Sequence, residues 1–289
     1  MSRRSLHNPG RPISLRFGAL EIEAFSISGL ASYVAVPAFD ACFDLGHCSV
    51  EATQLRNILL THVHQDHSLG VIRHLALRRM MGHRPPRVYL PMESRAALLD
   101  VLRAYERLEE KEPADLESIL RGVVPGETFA LSPNRTVRVF DVNHRITSRG
   151  YTVIERVRTR KEAFRDLPGE ALRDARERGE ELYDYHDVNR LTYVGDSTIE
   201  TLERHPELGE SEVLFVEATH LPGTSPEVSA KYGHTHLSEL ASLFARRPEA
   251  LASPHIVLKH FSMKYDATQI RAALETLPAG LRERVTLLI

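Results

Sequence analysis

Between Leu59 and Gly70 the chain reads LLTHVHQDHSLG, so six consecutive positions hold His62, His64, Asp66 and His67 directly after an apolar run. The chain has 15 histidines, and isolated ones such as His83, His186 and His205 read as surface or satisfied core residues. Four ligand-type side chains in one short loop are a different matter. Neutral imidazole and carboxylate are the donors that a zinc ion takes when no thiolate is offered. Histidines at i and i+2 can reach one ion from a loop, while the adjacent Asp66-His67 pair points towards a second.

Other residues able to bind metal or move a proton stand at the ends of apolar runs far apart in the chain. NILLTH ends at His62, VRVFDVNH at His144, LTYVGD at Asp196, EVLFVE at Glu217 and HIVLKH at His260. One polar residue closing a strand needs no site to explain it. Five of them fit strands of a sheet whose ends converge on one edge, where ligand sites form. Counted as ligands, His62, His64 and His144 hold one ion, Asp66, His67 and His260 hold the other, and Asp196 bridges. Two zinc ions (Zn2+) are therefore expected, since a pair of cations lowers the pKa of water enough to supply hydroxide at neutral pH.

The elements that must carry these residues alternate between strand and helix signals. SLRFG, LEIEAFSI, SYVAVP and DACFDLG read as short strands of an antiparallel opening sheet, and NILLTH as a buried strand. Leu69, Ile72, Leu75, Ala76 and Met80 then recur at helical spacing, which places His67 at a helix start. RVYLP is a strand and ESRAALLDVLRAYERLEE a long helix, and TVRVFDV, LTYVGD, EVLFVEA and HIVLKH are further strands. The mix is α/β.

At 289 residues and 42% hydrophobic, the chain can bury a full core. A basic tail over residues 1–12 is expected to be disordered, with a single domain over 13–289. Two cysteines, Cys42 and Cys48, are too few for a disulfide framework, so histidine and carboxylate must hold any metal. No apolar run is long enough to span a bilayer or to resemble a signal peptide, and a cytoplasmic protein without a membrane partner is expected. The net charge of −2 does not point to nucleic acid, which would have to be met by a local basic patch.

Taken together, FDLG (Asp44), THVHQDH, NHRITSRGY (His144), VGD (Asp196) and LKHFSMKY (His260) resemble the five motifs of the metallo-β-lactamase superfamily, from about Leu20 to about Leu274. VEATH around Glu217, YGHTHLSEL around His234 and the HFSxxY form of the last motif are similar to ribonuclease Z, the tRNA 3′-processing endonuclease, and its short plant-type members share GHTH. The resemblance implies an αββα sandwich, a dinuclear zinc site at one edge and a homodimer. It implies a zinc-dependent endoribonuclease that cuts precursor tRNA and leaves a 3′-hydroxyl. Asp66 would orient or deprotonate the attacking water. Glu217 with His234 would assist the leaving 3′-oxygen, with His236 as second choice, and Asp44 would orient ligands without being one.

The family also carries an arm that grips tRNA, inserted between its third and fourth motifs. Here that interval is 152–190, where Arg156, Arg158, Arg160, Lys161 and Arg165 cluster in a way that suits phosphate contacts. Three positions depart from the family pattern. SISGLASYVAV lacks the basic, asparagine-bearing loop of many bacterial members, Lys264 stands where arginine is common, and Val216 replaces a histidine. Two alternatives accompany the nuclease reading: a hydrolase of small phosphodiesters or esters on the same site, and a non-catalytic RNA-binding protein that has kept the fold.

Overall fold

The strand-forming runs build two sheets, seen in a computed structural model that describes residues 11–110 and 115–289. The basic tail expected over 1–12 lies almost wholly outside the described residues. In the first sheet, β1 (Ile13–Phe17), β2 (Leu20–Ser28), β3 (Ala31–Val36), β4 (Ala41–Phe43), β5 (Asn57–Leu59), β6 (Arg87–Pro91) and β7 (Leu120–Val123) lie side by side in chain order. β1 to β4 pair antiparallel, as the short turns between them require, and β4 to β7 pair parallel across helical connections.

The second sheet is assembled from β8 (Thr128–Ser132), β9 (Arg135–Val142), β10 (Ser148–Arg160), β11 (Tyr183–Tyr193), β12 (Val213–Glu217), β13 (His255–Lys259) and β15 (Val285–Leu287). β8 to β11 are antiparallel neighbours, and β11, β12, β13 and β15 run parallel. The short β14 (Phe261–Ser262) crosses to the first sheet and pairs with β2.

Alternation along the strands divides the apolar side chains into three layers of core. Val34, Phe43, Leu59 and Tyr89 from one sheet meet Val139, Tyr151, Tyr193, Phe215 and Val257 from the other. The outward residues of the first sheet pack on Leu98, Leu99 and Leu102 of the helix Arg95–Leu108. Those of the second, including Leu214, Val216, Ile256 and Leu258, pack on Leu237, Leu240 and Leu243 of the helix Leu237–Arg246. This is an αββα sandwich, as the sequence led us to expect.

β10 and β11 outrun the sheet. β9 accompanies β10 only as far as Glu155, and beyond that point Arg156–Arg160 pair with Tyr183–Asp187 as a two-stranded ribbon. The helix Gly169–Glu177 lies between the two strands in sequence. Within the interval 152–190, the ribbon that leaves the sheet runs from Arg156 to Asp187. Thr152 is fully buried and its hydroxyl lies 2.8 Å from that of Thr192, so both belong to the sheet body.

Candidate metal centre

The loop after β5 and the ends of β9, β11, β12 and β13 meet at one edge of the sandwich. His67 lies within the helical turn Gln65–Ser68, near the start of the helical region, and the helix Gly70–Met80 follows. Gly195 makes the approach of the two sheets possible here. At φ 82° it passes so close to Thr61 that an added Cβ would come within 2.8 Å of that side chain. Any other residue would push Asp196 away from His62.

The seven residues expected as ligands gather there, in overlapping groups that also bring His234 beside Asp196 and His260. Ligand atoms of His62, His64 and His144 all lie within 4.8 Å of one another, and so do those of Asp66, His67 and His260. Asp196 Oδ2 stands between the groups, 3.2 Å from His67 Nε2, 3.3 Å from His260 Nε2 and 3.9 Å from His62 Nε2. His62 Nε2 is 2.9 Å from His64 Nδ1, which is 3.3 Å from His144 Nε2, and His67 Nε2 is 3.2 Å from His260 Nε2. Donor atoms on a tetrahedral zinc are about 3.3 Å apart when each bond is about 2.0 Å.

The far nitrogens show which lone pairs face inward. His144 Nδ1 donates to the carbonyl of Gly233 at 2.7 Å, and His67 Nδ1 to Asp44 Oδ2 at 2.8 Å, so each leaves Nε2 unprotonated towards the centre when neutral. His62 and His260 turn Nδ1 to the hydroxyls of Thr61 and Thr219, at 3.0 and 3.1 Å. Facing ring nitrogens at such separations must share either a proton or a cation. The donor set fits a pair of divalent metal ions.

Burial lowers the pKa of His62, His64, His144 and His260, which favours the neutral form that a ligand needs. His67 goes the other way. Burial is outweighed there by the carboxylates of Asp196 and Asp44, and the group is raised to about 10. Asp66 is tied to the β2–β3 turn by the Gly29 N–H, 2.7 Å from its Oδ2. His260 holds a left-handed backbone with φ 63°, a conformation that costs a non-glycine residue on the order of 1–3 kcal/mol and is characteristic of functional sites.

Asp44 is fully buried and makes no approach to the centre itself. Its Oδ1 accepts from the N–H and hydroxyl of Thr61, at 2.7 and 2.8 Å, and its Oδ2 from His67 and from the Tyr193 hydroxyl, the latter at 2.9 Å. It fixes one ligand ring and the loop that carries another.

Glu217 and His234 form a second arrangement on the rim. Glu217 is fully buried, and its carboxylate accepts from the N–H groups of Ser197 and Thr219, from the Thr219 hydroxyl and from His234 Nδ1 at 2.8 Å. Although burial opposes it, Glu217 raises the pKa of His234 to about 9, so the imidazole carries a proton at neutral pH. The His234 ring lies 5.4 Å from that of His144 and 5.5 Å from that of His260, facing the centre. His236 is placed differently: its Nδ1 accepts from the Ser238 N–H and caps the helix Leu237–Arg246. Glycine at 233, with φ 75°, lets the loop lie against His144.

The basic residues of the arm do not converge on this centre. Arg156, Arg158 and Arg160 alternate along β10 and share one face of the ribbon with Tyr183 and Tyr185. Arg156 sits 5.5 Å over the Tyr185 ring and Arg158 4.9 Å over that of Tyr183. Lys161 and Arg165 are engaged within the arm, by Glu181 and Asp184 and by Glu162. Lys264 donates to the Thr224 hydroxyl at 2.6 Å, and Val216 is buried under the helices. Motif reading had missed Thr61, Tyr193, Thr219 and the Gly233 carbonyl, each of which orients a ligand or Asp44. Their adjacency to ligands and glycines in THVH, TYVGD and EATH was the available signal.

No family model matches the chain. Its fold recurs in the metallo-beta-lactamase fold protein YhfI from Bacillus subtilis, with a TM-score of 0.58 at 14% identity over 91% of this chain and 93% of that one. It recurs also in human tRNase Z, short form, with a TM-score of 0.57 at 18% identity over 91% of this chain and 93% of that one. The chain thus has the metallo-β-lactamase fold, with a cluster of histidines and aspartates fit to hold metal at the edge of its sandwich. Its homologues include tRNase Z TRZ1 of Arabidopsis thaliana, 28% identical over 267 residues that span 91% of this chain and 93% of that protein.

Proposed function

We propose that this protein is a metal-dependent endoribonuclease that hydrolyses the phosphodiester at the 3′ end of precursor tRNA. The observation that carries the reading is the conjunction of the ligand groups with His234 held 2.8 Å from the buried Glu217 carboxylate on the same rim. A near full-length likeness to tRNase Z supports the choice of substrate.

His62, His64 and His144 would hold one zinc ion, and Asp66, His67 and His260 a second, with Asp196 shared. Bound there, the two ions would polarise the phosphate and lower the pKa of water. Asp66, held by the Gly29 N–H, orients the attacking water and takes its proton. As the bond from phosphorus to the tRNA 3′-oxygen breaks, His234 gives that oxygen its proton. Glu217 stabilises the imidazolium before the transfer and keeps its Nδ1 engaged. The products are a 3′-hydroxyl on the tRNA and a 5′-phosphate on the released trailer.

The arm supplies grip away from the chemistry. The exposed face of Arg156, Arg158 and Arg160, interleaved with Tyr183 and Tyr185, offers cations for phosphates and rings for stacking. Action as a homodimer in the cytoplasm completes the reading. No helix among the described residues is long and apolar enough to cross a membrane.

The test is incubation with a 3′-extended tRNA transcript. Cleavage that leaves a 3′-hydroxyl, stops with chelator and returns with zinc is the expected result. A protein that hydrolyses small phosphodiesters but never the transcript would be the small-molecule hydrolase. Binding of the transcript without cleavage under any metal condition would leave a non-catalytic RNA-binding protein.

A further inference from the structure

Lys259 occupies a position where an apolar residue is the ordinary choice. It follows Val257 by two on β13, so its side chain enters the space between the sheets, and none of it is exposed. Its ammonium lies 3.7 Å from Asp196 Oδ1, 3.3 Å from the carbonyl of Gly195 and 4.7 Å from the centre of the Tyr193 ring. A lysine buried without a carboxylate would be very costly, so the choice of partner matters.

That partner is the residue shared by the two ligand groups. Asp196 Oδ2 faces the metal centre, and Oδ1 has no hydrogen-bond partner of its own. With no ion bound, Asp196 lies between two buried cationic groups, the His67 ring 3.2 Å from Oδ2 and the Lys259 ammonium 3.7 Å from Oδ1. With ions bound at Oδ2, Asp196 is already compensated, and Lys259 becomes one more positive charge beside two cations.

We propose that Lys259 is a positioning residue that stands in for metal: it stabilises the metal-free centre more than the loaded one, and so sets metal affinity below what the ligands alone would give. The proposal rests on the metal-binding part of the functional reading and is independent of the substrate. Coulomb's law fixes the sign, since the ammonium attracts Asp196 in both states and repels cations only in the loaded one. Linkage turns that difference into affinity.

The experiment compares the parent with Lys259→Met, which keeps bulk without charge, Lys259→Gln, which keeps a donor for Gly195, and Lys259→Arg, which keeps the charge. Each is titrated with zinc against a competing chelator and melted in metal-free and zinc-loaded form. The Met and Gln variants should bind zinc at least about tenfold more tightly. Their metal-free forms should melt lower while the loaded forms change less, and the Arg variant should follow the parent. Equal losses of melting temperature in both forms with affinity unchanged would make Lys259 merely structural and overturn the proposal. So would weaker binding in the Met and Gln variants, an Arg variant that shifts as far as Met, or failure of Met and Gln to fold even with zinc. A parent that binds no zinc would instead remove the metal-binding reading itself.

Discussion

Asp44 Oδ2 receives His67 Nδ1 at 2.8 Å from a position buried beneath the ligand shell, and the same carboxylate holds the backbone and hydroxyl of Thr61, the residue before His62. One side chain therefore sets the ring of a ligand in one group and the loop entering the other. Asp44→Asn should keep the volume but turn an amide N–H₂ towards donors. We expect metal affinity to fall by roughly 10–100-fold, the usual cost of losing such a partner. Chelator competition reads it directly, and unchanged affinity would mean that the ligands orient themselves.

The proposed mechanism gives His234 a proton to transfer and no metal to hold, although its ring nitrogen lies within 4.8 Å of ligand atoms of Asp196 and His260. His234→Ala should retain both ions while cleavage of precursor tRNA slows by roughly a hundredfold or more, the typical cost of losing a general acid. A leaving group that needs no proton should soften that loss. His236→Ala removes a helix cap and should cost about 1 kcal/mol of stability with little effect on rate. Metal analysis, single-turnover rates and melting of the two variants decide the matter. Loss of metal in His234→Ala, or loss of cleavage in His236→Ala alone, would reverse the roles.

Much of this site was legible because its chemistry sits at strand ends. An apolar run that stops at His62, His144, Asp196 or His260 announces both the strand and the direction in which its last side chain emerges. The apolar spacing of Leu69, Ile72, Leu75, Ala76 and Met80 likewise located a helix. It did not locate the buried face. Val71, His74 and Arg78 point into the body of the protein, while Leu69 and Met80 are 50% and 73% exposed. Arg78 can be buried because its guanidinium meets the carbonyls of Thr53, Gln54, Leu55 and Arg84, and no periodicity of apolar residues encodes such a clasp. Lys259 escaped notice for the same reason, since its partner Asp196 lies in the loop after β11, distant in the chain.

His74 gives the fold a pH dependence of its own. It is fully buried, Nε2 donates to the Leu55 carbonyl at 3.0 Å, and Nδ1 has no partner. Burial, aided by the nearby Arg78, lowers its pKa to about 4 against the hydrogen bond to Leu55. A group depressed in the folded state protonates first in the unfolded chain. Its contribution is therefore complete above about 6.5 and is lost as pH falls towards about 4, with roughly 3 kcal/mol at stake. His74→Gln keeps a donor for Leu55 but does not titrate. Urea unfolding at pH 7 and pH 5 should show the parent losing more stability than the variant. Equal losses would place the sensitivity elsewhere.

The ribbon beyond Glu155 offers the sharpest separation of substrate class from chemistry. Its pairing with the sheet ends where β9 ends, so replacing residues 156–187 by a tight turn removes the arginine and tyrosine face without opening the sheet or touching a ligand. Hydrolysis of a small activated phosphodiester needs only the centre and should stay within about twofold of the parent. Precursor tRNA needs positioning by contacts remote from the scissile bond, which is where large substrates gain their rate, and its cleavage should fall steeply. The parent should also bind precursor tRNA less well as salt rises. The slope of log affinity against log salt should drop by roughly 0.7–0.9 for each phosphate contact that the shortened protein has lost. Arg156→Gln with Arg158→Gln should reproduce part of that change in slope, while Tyr183→Ala with Tyr185→Ala should weaken binding with the slope kept, because stacking releases no counterions. A folded, metal-loaded deletion variant that processes precursor tRNA as fast as the parent would show that the arm is not the grip, and that recognition must come from the rim around His234.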